Sequence, residues 1–185
     1  SPALLFLAHF KQVFEALDAI HDRGQLVLHW KPKFIVTDVI EGITKIANVW
    51  NIHTTEEIEN KKLVLNQMYA SPEALLGENV DVRSDLYSVA LIMFETWGNY
   101  ASPAFSLSRL FNDNDKTDVI REALEKEREP GLMGRMSTYV EPELGDHFVL
   151  KLLKKNPDER GFKTAKDVVN YIVDIWPEVS KPAKD

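Results

Sequence analysis

The chain has 185 residues, 44% apolar and 28% charged, which predicts one packed domain and excludes a disordered chain. Its 29 acidic and 22 basic residues leave a net charge of −7, which excludes a chain-wide attraction for phosphate backbones or anionic membranes. There is no cysteine, so disulfides, thiolate zinc sites and cysteine nucleophiles are excluded, and a reducing compartment is expected. No apolar run approaches the roughly 18 residues of a membrane span. Residues 1–10 are apolar but lack a basic start and a small-residue cleavage site, so they do not read as a signal peptide.

In residues 3–22 the apolar positions Leu4, Leu5, Leu7, Phe10, Val13, Phe14, Leu17 and Ile20 recur at helical spacing. They predict a long helix packed on a core, stopped at Gly24. Residues 26–28, 34–36 and 44–49 predict short strands around Pro32 and the turn Glu41-Gly42. Residues 51–62 are polar and predict a surface loop or a short exposed helix, with Thr54 and Thr55 as hydroxyls open to modification. Ser71 is placed as an N-cap before Pro72, and Glu73 puts an acid in the first helical turn, where the helix dipole favours one. Residues 82–97 are apolar most of the way round and predict the central helix, with Ser84 and Asp85 leading into the core. Further helices are expected over 106–111, 116–128, 144–155 and 164–175. The fold class is mainly α with a few short strands, with one unit over 1–176 and a flexible tail over 177–185.

Six segments, in order, resemble the C-terminal (large) lobe of a protein kinase of the eukaryotic-like Ser/Thr type common in bacteria. AIHDRG (19–24) is similar to the run before the catalytic loop, and GQLVLHWKP (24–32) to the loop itself. TKIANVW (44–50) resembles the strand and turn that carry Asp-Phe-Gly, and MYASPEAL (68–75) the segment ending in Ala/Ser-Pro-Glu. VDVRSDLYSVALIMFE (80–95) is similar to the helix that follows, and LKKNPDERGFKTAKDVV (153–169) to the closing Pro-x-x-Arg segment. The family's Gly-rich loop and its strand lysine have no counterpart in these residues, so an N-lobe supplied from elsewhere is expected.

The resemblance also implies roles. Aligned on Lys31-Pro32, His29 stands at the catalytic aspartate, Phe34 at one magnesium-binding position and Asn48 at the other, while Lys31 is retained. Magnesium prefers charged oxygen ligands; Phe34 offers none and Asn48 one neutral carbonyl. His29 is the residue type for a base, but the favoured reading is a partly buried histidine with a backbone partner. Glu73 and Arg160 match a buried ion pair, and Asp85 matches the helix aspartate that bonds the catalytic-loop backbone. These replacements lead to the expectation of a pseudokinase, not an enzyme, with no cofactor or metal, acting as an interaction or regulatory scaffold. The alternatives are an atypical phosphotransferase and a nucleotide-binding switch.

Val49, Trp50, Met68, Tyr69, Phe105, Leu110 and Phe111 are the candidate interface, and Val27 and Phe34 join Val49 and Trp50 in an expected apolar patch on the roof of the lobe. The expected partner is another protein, the N-lobe or a second copy, with no nucleic acid. The expected location is the cytoplasm, alone or as part of a larger protein. Asp18, His21 and Asp22 share a helical face that imitates a metal site, and solvated charges at a helix end are the favoured reading.

Overall fold

Helix α1 occupies Pro2–His21 of the computed structural model, which describes residues 2–47, 52–98, 117–126 and 148–179. Its helical stripe is the buried face: Leu7, Phe10, Val13, Phe14 and Leu17 are in the core. The chain leaves α1 through Gly24, whose φ of +69° suits a residue without a side chain. A Cβ there would also stand 3.0 Å from Thr55 Oγ1.

The first predicted strand is reduced to an isolated bridge between Leu26 and His53. The reason is a side chain distant in sequence: the next two amides, of Val27 and Leu28, bond to the Asp85 carboxylate and are unavailable to a ladder. A 3-10 turn at Pro32–Phe34 then feeds strand β1 (Ile35–Asp38), which pairs antiparallel with β2 (Ile43–Ile46). The inner face of this hairpin lies on α1. His9 Nδ1 is 2.7 Å from Thr44 Oγ1, and Gln12 accepts from Thr44 N and donates to Gly42 O.

The polar stretch contains helix α2 (Thr55–Glu59), started by a capping box between Thr54 and Glu57. Helix α3 (Pro72–Leu75) begins at Ser71, but Ser71 makes no capping bond; its buried hydroxyl has no partner, and Pro72 supplies the helix start. Helix α4 (Val82–Gly98) is central, with Leu86, Tyr87 and Val89 to Phe94 all buried. Helix α5 (Thr117–Lys126), helix α6 (148–152) and helix α7 (Ala165–Val179) complete the described elements, α7 packing on α1 and touching α4. Of the tail expected over 177–185, residues 177–179 are helical: α7 runs through Pro177, which forgoes one amide bond near the helix end. The helix expected over 106–111 lies outside the described residues. Among the described residues, no helix is long and apolar enough to cross a membrane.

Candidate functional site

Asp85, fully buried in the first turn of α4, organises the loop that precedes the hairpin. Its Oδ1 accepts from Leu28 N and Trp30 Nε1, both at 2.7 Å, and its Oδ2 from Val27 N at 2.9 Å. His21 Nε2 lies 2.9 Å from the same Oδ2. These four contacts use the full acceptor capacity of a carboxylate. They also hold Leu28 at φ +55°, a left-handed conformation that costs a branched residue roughly 1–2 kcal/mol. His21 and Trp30 were not assigned this role from the sequence. The signal was present in kind: an indole N–H and an imidazole in an apolar setting need partners. Their partner lies far along the chain.

A second buried centre joins α3 to the turn before α7. Arg160 Nη1 and Nη2 donate to Glu73 Oε1 and Oε2 at 2.8 and 2.7 Å, and Ser84 Oγ donates to Oε1 at 2.7 Å. The other guanidinium N–H groups go to the carbonyls of Lys154, Lys155 and Arg83, so all five donors are used. Arg160 also sits 5.0 Å from the Tyr87 ring centroid, within cation–π range. Burial pushes the Glu73 carboxyl up, but the Arg160 bonds and charge, with Ser84, outweigh it and hold it below the usual carboxylate range.

His29 is partly buried, its Nδ1 without a partner, and its ring centroid is 6.4 Å from that of Phe34. Burial lowers its pKa, Lys31 lowers it further, and a backbone hydrogen bond at Leu65 opposes both. The ring is therefore neutral at pH 7. Lys31 is half-buried. Val27 and Phe34 are buried, so neither contributes to an exposed roof patch, and Val27 belongs to the main apolar core. Asn48, Val49, Trp50, Phe105, Leu110 and Phe111 lie outside the described residues. Among the described residues, no group of three His, Asp or Glu side chains is placed to hold a metal ion.

Trp30 and His53 hold the segment 63–68. Asn66 Nδ2 donates to Trp30 O at 2.6 Å, and His53 Nε2 lies 3.2 Å from both the N and O of Val64, its tautomer selecting which bond forms. Beyond this segment Tyr69 is buried and donates to Glu95 Oε2 at 2.8 Å, so it is a core residue and not part of an exposed interface. Burial pushes the Glu95 carboxyl up; the Tyr69 bond only moderates this, and Oε1 has no partner. Two of the segment's apolar side chains are exposed, Val64 at 51% and Met68 at 45%, while Leu63 and Leu65 are partly buried.

No protein-family model matches the chain. Curated relatives do match. Over 92 residues it is 37% identical to serine/threonine-protein kinase PksC of Streptomyces coelicolor, covering 50% of this chain and 15% of that protein. Over 100 residues it is 36% identical to serine/threonine-protein kinase PknB of Mycolicibacterium smegmatis, covering 54% of this chain and 14% of that one. A longer match, 25% identical over 161 residues, covers 86% of this chain and 32% of serine/threonine-protein kinase ULK3 of Xenopus laevis. The chain thus spans a minor part of each relative's length.

These names correct the expectation that the chain is not an enzyme. The relatives are named as Ser/Thr kinases, and the positions used against activity rest on a resemblance in which Asn48 lies outside the described residues. Set on a mainly helical unit with a two-stranded hairpin, the alignments identify the chain as protein-kinase-like, with the architecture of that family's large lobe.

Proposed function

We propose that this lobe docks a protein partner in a kinase-related signalling role, through the segment 63–68. The observation that carries the reading is the outward display of Val64 and Met68 on a backbone pinned from below by His53, Asn66 and Tyr69. A segment held in one conformation before binding loses less entropy on docking. Exposed apolar side chains on such a segment mark an interaction surface. The test is site-specific photocrosslinking from position 64 in cells, followed by binding measurements with the protein identified. Val64→Asp and Met68→Asp are expected to weaken that binding at least about tenfold with an unchanged melting temperature. Unchanged affinity in both variants counts against the reading.

The relatives' names favour a second reading, phosphoryl transfer to protein hydroxyls. It needs a nucleotide and an N-lobe joined to this lobe. Here His29, kept neutral by burial and by Lys31, is the described group able to accept a proton at the position of the catalytic carboxylate. Magnesium-dependent stabilisation by ATP, together with phosphate incorporation into a mixed protein substrate, supports this reading. Neither signal in the longest natural form of the protein removes it.

A further inference from the structure

Helix α3, helix α5 and the turn before α7 enclose a cavity of about 270 Å³. None of its walls comes from the loop 26–34, the hairpin or the segment 63–68. The inner lining is mostly apolar: Pro72 and Leu124 are buried, and Leu76 and Pro157 are half-buried. Arg121, Leu124 and Glu125 follow the i, i+3, i+4 spacing that puts side chains on one helix face, and that face of α5 borders the cavity. Two contacts tie the three walls together. Arg121 Nη1 lies 3.0 Å from Glu78 Oε1 and joins α5 to the residues after α3. Lys155 Nζ donates to Leu124 O at 2.5 Å and joins the turn to α5. The cavity is therefore built before any ligand arrives, as ligand sites usually are. Its charges are unevenly matched. Glu73 is neutralised by Arg160, Glu78 pairs with Arg121, and Lys155 is committed to Leu124 O. Glu125 is exposed and, among the described residues, makes no ion pair or hydrogen bond.

We propose that this cavity binds a small organic cation with an apolar body. The body sits against Leu76, Leu124 and the two prolines, and Glu125 holds the cation at the margin. The volume lies just under the roughly 300–1,000 Å³ of sites for drug-sized ligands, which is room for one aromatic or branched group and too little for a nucleotide. The sign of the charge follows from Glu125. An unmatched carboxylate beside an apolar pocket favours an ammonium or guanidinium next to the apolar group and disfavours an anion. Because Glu125 is exposed, its attraction is modest and salt-dependent, and most of the affinity comes from the apolar body. A ligand of this size is expected to bind with a dissociation constant of about 1 mM. The same chemistry has two sources: a free arylalkylamine, and an apolar residue beside a basic one in a peptide. The inference stands apart from docking at 63–68, since the two share no residue.

The experiment is a methyl NMR titration of the longest natural form of the protein at low ionic strength, with phenethylammonium as the probe up to about 5 mM. The methyl signals of Leu76 and Leu124 are followed, and both are expected to move along one saturating curve. Phenylacetate has a ring of the same size and the opposite charge, and is expected to bind at least about fivefold more weakly. Ethylammonium lacks the ring and is expected to lose at least about fivefold as well. Glu125→Lys changes an exposed side chain with no bonds to lose, so the variant is expected to fold normally and to lose the preference for the ammonium probe over the carboxylate. A capped Gly-Phe-Lys-Gly peptide separates the sources: tighter binding than phenethylammonium assigns the cavity to a peptide, and weaker binding assigns it to a free amine. Leucine methyl signals that stay still with every probe overturn the proposal. Equal binding of the cation and the anion also overturns it, as does a preference that survives unchanged in Glu125→Lys.

Discussion

A single carboxylate, Asp85, holds three donors from the loop and lies beside His21, and this dictates how the loop responds to mutation. Trp30→Phe keeps the aromatic volume and deletes one hydrogen bond to a charged group, so urea unfolding is expected to show a loss of about 1.5–3 kcal/mol. Asp85→Asn is expected to cost more, because an amide N–H would then face backbone N–H groups. Glu95 gives a residue-scale prediction in pH. Its folded pKa is raised above the ordinary 4.5, so the stability it contributes is present below that value and is lost as pH rises through the folded pKa. Glu95→Gln retains an acceptor for Tyr69 and removes the charge. Thermal melts should therefore show it more stable than wild type at pH 7 and nearly equal at pH 4. Glu73 has the opposite sign: its folded pKa is lowered, so its contribution is present above about 4.5 and lost as pH falls through the folded value.

Elements are joined here by buried polar centres as well as by apolar packing. Glu73 belongs to α3 and Arg160 to the turn before α7, and each carries a charge that water does not reach. Glu73→Ala or Arg160→Ala leaves the other charge buried and unpaired and is expected to destabilise by about 3–5 kcal/mol in chemical denaturation. The double variant should cost less than the sum, since the stranded charge disappears with the second change. At this scale the sequence was readable where periodicity alone decides the outcome. The stripe Leu7-Phe10-Phe14-Leu17 placed α1, and the all-round apolar run placed α4. It was not readable where a distant side chain intervenes. Residues 26–28 have the composition of a strand, yet Asp85 removes two of their amides from any ladder. Ser71 has the residue type of an N-cap, yet its hydroxyl bonds none of the helix amides.

Among the described residues the chain is a helical lobe with its best-satisfied polar centres inside and apolar displays outside at 63–68 and on the hairpin. The family resemblance was legible because spaced motifs survive in order, and the partial alignments agree with it. Tyr69 was misassigned to the surface because its partner, Glu95, lies at the far end of α4, and only the fold reveals that they meet. Val64 was not singled out, because Leu63-Val64-Leu65 is uniformly apolar and nothing in the run marks which residue faces outward; the fold, in which His53 and Asn66 hold the segment, exposes Val64. The central claim is that this pinned segment docks a protein. The most direct measurement is photocrosslinking from position 64 followed by calorimetric titration of the captured protein against wild type, Val64→Asp and Met68→Asp. One specific partner, bound at least about tenfold more weakly by both folded variants, is the predicted result. A partner bound equally by all three proteins would contradict it.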